Sequence, residues 1–270
     1  VETLIRHAAR ATLRVGGTNS IVDVAIAVPR RVPREIDRKH LIRIQWLGEG
    51  AFGEVNRYSV AERGSGIATV AFDVAAKSIK AGADGAANAR QALMREAALG
   101  AVLDHRNVVA TVGVVTVPRD VPPLLLLAYC SEGTLEALAS AASPDSMSVA
   151  ERLTYIAQTL QGLQHIAARR IVHRDVAARN VLPSVTMVCK VSDFGMATAL
   201  AEDGKEYIRS NEQLALRWCA IEVIKEGKHS VHSDVWAFGV LAHEVFACGA
   251  LPYADVFDNL TEISEFVKGG

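Results

Sequence analysis

The run HRDVAARN, His173–Asn180, sets two guanidinium groups, a carboxylate and an amide between short apolar stretches. A carboxylate held there, Asp175, can accept a proton from a hydroxyl. The amide oxygen of Asn180, five residues on, can bind a hard cation. Asp193, in SDFG and 18 residues beyond Asp175, is a carboxylate on a turn, suited to a divalent cation bridging phosphates. A structural salt-bridge cluster and a tight turn are the plainer readings, and the density of polar groups in HRDVAARN argues against the first. Lys77, in the strand-like DVAAKSI, either snorkels to the surface or is held by an anion, and taken singly the former is commoner. Glu96, in LMREAAL, reads alone as a solvated helix residue or half of an i, i+4 pair. Together, Lys77 and Glu96 could aim an ammonium at phosphate oxygens. Gly48, Gly50 and Gly53 in GEGAFGEV form G-x-G-x-x-G. This pattern fits a dinucleotide turn, an ordinary hairpin, or a hairpin whose bare backbone N–H groups approach phosphates. Strand character continuing through Val55 and YSV favours a hairpin.

These groups need a frame. Residues 1–40 hold PRRVPREIDRKH and read as an irregular, surface-laid entry segment. LIRIQWLG, EVNRYSV and ATVAFDVAAKSI read as strands, residues 81–87 as a loop, and NARQALMREAALGAVL as a helix. NVVATVGVVTV and PLLLLAYC are two further strands, split by a Pro-rich turn at 118–123. Beyond Gly133 the character becomes helical. TLEALASAA is short, whereas VAERLTYIAQTLQGLQHIAARR is long and periodic, with Ser148 as its expected N-cap. SDVWAFGVLAHEVFACG is apolar almost all round and predicts a buried helix capped by Ser233.

Bulk properties narrow the classes. The chain has 270 residues, half apolar, with a formal net charge of −1, which disfavours general electrostatic binding to nucleic acid or an anionic membrane. Cys130, Cys189, Cys219 and Cys248 form no C-x-x-C pair, so they read as buried free thiols in a reducing compartment. No apolar run is long enough to span a bilayer, and a membrane contribution is expected only from a segment outside this chain.

From about Leu41 onward the ordered set G-x-G-x-x-G-x-V, strand Lys, helix Glu, H-R-D-…-N and D-F-G resembles the protein kinases. DVAARN, LRWCAIE and SDVWAFGVLAHEVFACGALPY resemble the tyrosine kinase group rather than serine/threonine kinases, which carry Lys where Ala177 stands. The resemblance implies an α+β, two-lobed fold. A small antiparallel-sheet lobe with one helix would span 41–130, and a larger helical lobe 131–270, behind a juxtamembrane-like segment 1–40. It implies ATP and Mg²⁺ as cofactors. Leu47, Gly48, Gly50, Gly53, Val55, Ala75, Lys77, Leu127, Ala128, Cys130 and Leu182 would surround the nucleotide. Asp175 would be the catalytic base, with Arg179 and Asn180 beside it, Lys77 paired with Glu96, and Asn180 and Asp193 on the metal. Tyr207 would be an autophosphorylated tyrosine whose phosphate meets Arg174 or Arg209. Protein tyrosines would be the substrates, dimerisation would allow trans-autophosphorylation, and the site of action would be the cytoplasm or the cytoplasmic face of the plasma membrane.

The sequence departs from the family at Ala215 and Ile221, where prolines are usual, so a looser substrate-docking loop with weaker peptide binding is expected. It also ends at Gly270, short of the family's final helices. Glu222 is therefore expected to lack its Arg partner, and apolar surface on VWAFGVLAHEVF to be exposed, with poor solubility. The alternative function is a pseudokinase-like binding module that holds ATP but phosphorylates poorly.

Overall fold

The computed structural model describes residues 10–13, 22–25, 33–50, 53–63, 69–78, 86–141, 147–201, 207–209, 215–257 and 259–269. Ala51 and Phe52 of the glycine-rich run, 81–85 of the expected loop, and 202–206 and 210–214 of the segment around Tyr207 lie outside the described residues. So do most of 1–32 and the side chains of Tyr207 and Arg209. By contacts the chain divides into one unit running through Asp104 with Val109–Tyr129, and a second made of His105–Val108 and Cys130 onward.

The first unit begins with β1 (Arg10–Leu13) and β2 (Val22–Ala25), paired antiparallel where an irregular entry was expected. The rest of the entry is not merely laid on the surface either. Ile36 is buried at 3% exposure, and its N–H donates to the Val114 carbonyl at 2.8 Å. The Glu35 carboxylate accepts from the Thr116 N–H at 2.6 Å and hydroxyl at 2.9 Å. One apolar residue and one acceptor within a charged run thus find partners that only tertiary structure supplies.

Five antiparallel strands follow: β3 (Leu41–Gly50), β4 (Gly53–Arg63), β5 (Thr69–Ser78), β6 (Thr111–Val115) and β7 (Leu124–Ala128), in the order β3-β4-β5-β7-β6. Helix α1 (Ala86–Gly100) lies against one face, where Leu93, Met94, Ala97 and Ala98 meet Val114 and Leu125. The other face gathers Val60, Val74, Ala76, Val115, Leu124 and Leu126 with Ile36. β7 is buried on both faces, which is why its run of leucines shows no polar alternation. β6 starts later than the Asn107 onset expected, because Asn107 is fully buried and its amide donates to the Cys189 carbonyl at 2.8 Å in the second unit.

The second unit contains α2 (Leu135–Ala141), α3 (Val149–Ala167), β8 (Ile171–Val172), β9 (Val181–Leu182), β10 (Lys190–Val191), β11 (Thr198–Ala199) and β12 (Tyr207–Arg209). After these come α4 (Ile221–Glu226), β13 (Lys228–Ser230), α5 (Val231–Phe246) and α6 (Leu260–Gly269). The short strands pair β8 with β11, β9 with β10, and β12 with β13. Ser148 caps α3 in a reciprocal box with Glu151. At Gly162 a Cβ would meet the Asn107 carbonyl oxygen at 2.4 Å, so α3 approaches that segment closer than any side chain permits.

Two readings of α5 are corrected. Its N-cap is Ser230, whose hydroxyl accepts from the His232 and Ser233 N–H groups. Ser233 sits at the third helical position, and its hydroxyl oxygen accepts from the Ser230 N–H. Nor is the helix buried all round: Ala237, Val240, Leu241 and Val245 are buried, whereas Val235, Trp236 and Phe246 are 59%, 41% and 46% exposed. No helix among the described residues is long and apolar enough to cross a membrane.

Candidate active site

In the first unit the register aligns the candidate residues. Val55 lies opposite Lys77 and Lys77 opposite Leu125, while Ala75 lies opposite Arg57 and Leu127. Directly opposed and alternate residues share a face, so Val55, Ala75, Lys77 and Leu127 all lie on the α1 side of the sheet. There Lys77 Nζ donates to both carboxylate oxygens of Glu96 at 2.9 Å. Their side chains are only 13% and 6% exposed. Gly48, Gly50 and Gly53 belong to a hairpin, with Gly48 opposite Val55 and Gly50 opposite Gly53, so no helix follows the glycines as a dinucleotide turn would require. Among the described residues, a Cβ at Gly48 would meet nothing within 4 Å. Leu47, which precedes it, is partly exposed. The Ala128 N–H is committed to the Ala110 carbonyl at 2.9 Å, leaving its carbonyl as the group it could offer elsewhere.

Arg57 adds a feature that sequence reasoning missed. Its guanidinium is paired with Asp73 and lies 4.6 Å from the Tyr129 ring centroid. An Arg and an Asp on neighbouring strands carry no local signal of this clustering.

In the second unit one loop carries the polar groups. His173 is fully buried, stacked at 5.2 Å on Phe194. Its Nε2 faces the Ser192 carbonyl at 3.0 Å and therefore carries the proton, while Nδ1 faces the Asp175 N–H at 3.3 Å. The Asp234 carboxylate accepts from the His173 N–H at 2.7 Å and the Arg174 N–H at 3.0 Å. Burial pushes the Asp234 carboxyl up, and His173 and Arg174 beside it push back. Arg174 adopts the left-handed region at φ 69°, Asp193 at φ 59°. The Arg174 guanidinium reaches the Met196 carbonyl at 3.2 Å and the Thr198 hydroxyl at 3.4 Å.

Around Asp175, Oδ1 is paired with Arg179 and Oδ2 accepts from Asn180 Nδ2 at 2.7 Å. The same Nδ2 donates to the Asp175 carbonyl at 2.8 Å, so the donors of Asn180 are engaged while its amide oxygen accepts no bond among the described residues. The Asn180 carbonyl takes the Ser192 N–H at 2.8 Å, which joins this loop to the residue before Asp193. Asp193 Oδ1 accepts from the Gly195 N–H at 3.2 Å. Leu182 and Cys130 lie partly exposed in the same unit. An amide oxygen and a carboxylate fit a small hard cation that takes only one or two protein ligands and completes its shell with phosphates and water. Among the described residues no three His, Cys, Asp or Glu side chains form a metal cluster.

Glu244 and Trp218 also escaped the sequence reading. Glu244, 2% exposed, accepts from Trp218 Nε1 at 2.8 Å and the Ala178 N–H at 3.0 Å. Carboxylates at 234 and 244 inside an apolar helix were the available signal, since buried acids require donors. Glu222 pairs with no described cation.

A sheet unit with a buried Lys–Glu pair, and a helical unit in which H-R-D and D-F-G share one hydrogen-bonded loop system, define a domain of the protein kinase class. Residues 41–270 match the model of the family described as protein tyrosine and serine/threonine kinase, and the chain belongs to that family. It is 32% identical over 235 residues to megakaryocyte-associated tyrosine-protein kinase of Rattus norvegicus, covering 87% of this chain and 45% of that protein. It is 34% identical over 232 residues to the tyrosine-protein kinase transmembrane receptor Ror of Drosophila melanogaster, covering 81% and 33%. Against Fer-related kinase 1 of Caenorhabditis elegans the identity is 33% over 225 residues, covering 83% and 53%. The chain thus spans about half or less of the length of these relatives, and the similarity puts it in the tyrosine kinase group.

Proposed function

We propose that the chain transfers the γ-phosphoryl group of ATP to tyrosine hydroxyls of proteins, with Asp175 as the base. The observation that carries this reading is the setting of Asp175. One oxygen faces Arg179 and the other takes the Asn180 amide, so the carboxylate is held in a fixed orientation beside a cation. Tyrosine rather than serine is supported by Ala177 and Arg179 after that Asp, and by the relatives named as tyrosine-protein kinases.

In this reading the backbone at Gly48, Gly50 and Gly53 covers the phosphates, and the lack of any described atom within 4 Å of a Cβ at Gly48 suits that approach. Leu47, Val55, Ala75, Leu127 and Leu182 enclose the adenine, and the Ala128 and Cys130 backbone meets its polar edge. Lys77, steadied by Glu96, holds the α- and β-phosphates. Asn180 and Asp193 would hold Mg²⁺, which when bound offsets phosphate charge. Asp175 orients the phenol and accepts its proton as the phenol oxygen bonds to the γ-phosphorus and the bond to the bridging oxygen breaks, releasing ADP. Tyr207, whose backbone lies in β12, is the proposed modification site, filled in trans by a second copy. One relative is named a transmembrane receptor, so the parent protein is proposed to act in the cytoplasm or at the cytoplasmic face of the plasma membrane.

The experiment is phosphotransfer to a Glu/Tyr polymer with ATP and Mg²⁺. Asp175→Asn is expected to lower kcat by about 10²- to 10⁴-fold. Transfer to serine of a serine-containing protein substrate, with none to the polymer, would sink the tyrosine assignment. ATP binding without transfer would favour the binding-module reading, which Ala215 and Ile221 in the substrate-docking segment support.

A further inference from the structure

We propose that Glu244 is a positioning residue for the phosphotransfer reaction, holding Asp175 in place through Trp218 and Arg179. The proposal rests on the reading of Asp175 as the base. A buried carboxylate in the last turn of an apolar helix costs desolvation unless donors meet it. Two do, at the same oxygen. Oε2 of Glu244 accepts the Ala178 N–H at 3.0 Å and the Trp218 indole N–H at 2.8 Å. Burial pushes this carboxyl up, and the two donors and the nearby Arg179 push back, while Glu136 opposes them.

The two donors belong to different parts of one assembly. Ala178 opens the 3-10 turn Ala178–Asn180, which carries both groups that hold the Asp175 carboxylate. Trp218 ends the 3-10 turn Leu216–Trp218, and the Arg179 guanidinium lies 4.5 Å from its ring centroid. Arg179 in turn pairs with Asp175 Oδ1. Glu244 therefore fixes the backbone from which Arg179 projects and the aromatic plate on which its guanidinium rests. A long side chain with several rotatable bonds gains one orientation from two supports, which lowers the entropy lost when it pairs with Asp175.

The connection has a direction. Trp218 stands between Ala215 and Ile221, the two positions where prolines are expected from the family pattern. A change in that segment reaches Asp175 through the indole and Arg179, a route that does not pass through Lys77 or Glu96. The residue should therefore act on turnover and leave nucleotide affinity alone.

The test is steady-state kinetics on a Glu/Tyr polymer, with the Trp218 indole N–H followed by ¹H–¹⁵N NMR. Glu244→Ala is expected to lower kcat by about 10- to 100-fold with the KM for ATP nearly unchanged, and to move the Trp218 indole resonance. Glu244→Gln keeps an oxygen that can accept both bonds, so it is expected to retain kcat within about 3-fold. Trp218→Phe keeps the plate and loses the N–H, and its kcat should fall between these two. If Glu244→Ala proves too unstable to purify, the Gln and Phe variants decide. An active wild-type chain whose kcat is unchanged in Trp218→Phe, or whose Gln variant loses as much as the Ala variant, overturns the positioning role. A wild-type chain that transfers no phosphate overturns the assignment of Asp175 instead, and the role of Glu244 with it.

Discussion

Asp193 and Arg174 both occupy the left-handed backbone region, which costs a non-glycine residue about 1–2 kcal/mol. Each is held there by a specific bond: Arg174 through its N–H to Asp234, Asp193 through its carboxylate to the Gly195 N–H. The thiols around this loop show the opposite economy, with burial suppressing chemistry. Burial is the main cause that pushes Cys189 up from 9.0 to about 12 and Cys219 to about 11, with Cys130 and Asp175 respectively adding to it. Burial raises the Cys130 thiol as well. Because the thiolate is the reactive form, Cys189 should be ionised at only about one part in 10⁴ at pH 8. Brief alkylation of the native protein at pH 8 should leave Cys189 and Cys219 unlabelled by mass spectrometry, and denaturation should expose both. Labelling of Cys189 at the rate of a free thiol would contradict its burial. Asp175, Asn180 and Asp193 were legible because their types and spacing repeat a known pattern. Asp234 and Glu244 were not, because their donors lie some 60 residues away along the chain: His173 and Arg174 for one, Ala178 for the other.

Among the elements, α4 allows the sharpest prediction. Ile221 is its first helical residue, and Ala220 before it is extended at φ −68° and ψ 158°. The first helical N–H has no acceptor within its helix, so proline fits there in both geometry and bonding. Ile221→Pro should stabilise the protein by about 0.4–1 kcal/mol through the unfolded state, read as a higher Tm. The peptide KM should fall with the ATP KM unchanged; an unchanged peptide KM would mean that the missing proline does not loosen substrate docking. The strands β3–β5 and the cap of α3 could be read from alternation and local capping chemistry. The cap of α5 could not. Ser230 and Ser233 are both serines in one turn, and the choice is made where β13 stops pairing with β12, which local pattern does not reveal.

At the scale of the whole molecule, the chain divides into two compact units, and the residues proposed to meet the nucleotide are drawn from each of them. A ligand that binds only the folded form stabilises it by mass action, by about 2.7 kcal/mol at 100 times its Kd. ATP with Mg²⁺ should therefore raise Tm, and EDTA should remove part of that rise. In Asn180→Ala/Asp193→Ala the EDTA-sensitive part should vanish; an equal response in that variant would reject these residues as the metal site. The exposure of Val235, Trp236 and Phe246 was not legible in the helix pattern, which is apolar almost all round and predicted burial.

The family match begins at Leu41, yet Glu35 and Ile36 are already part of the sheet. Gly113 records how tightly they are seated: a Cβ there would meet the Arg34 carbonyl oxygen at 2.4 Å. The match to the family model is therefore shorter than the stretch that folds. A protein trimmed to begin at Leu41 would lose a core residue and uncover the outer edge of β6, a row of unsatisfied backbone groups ready to pair with another chain. The physical boundary of this domain lies upstream of Leu41, where an acid and an isoleucine close the edge of the sheet.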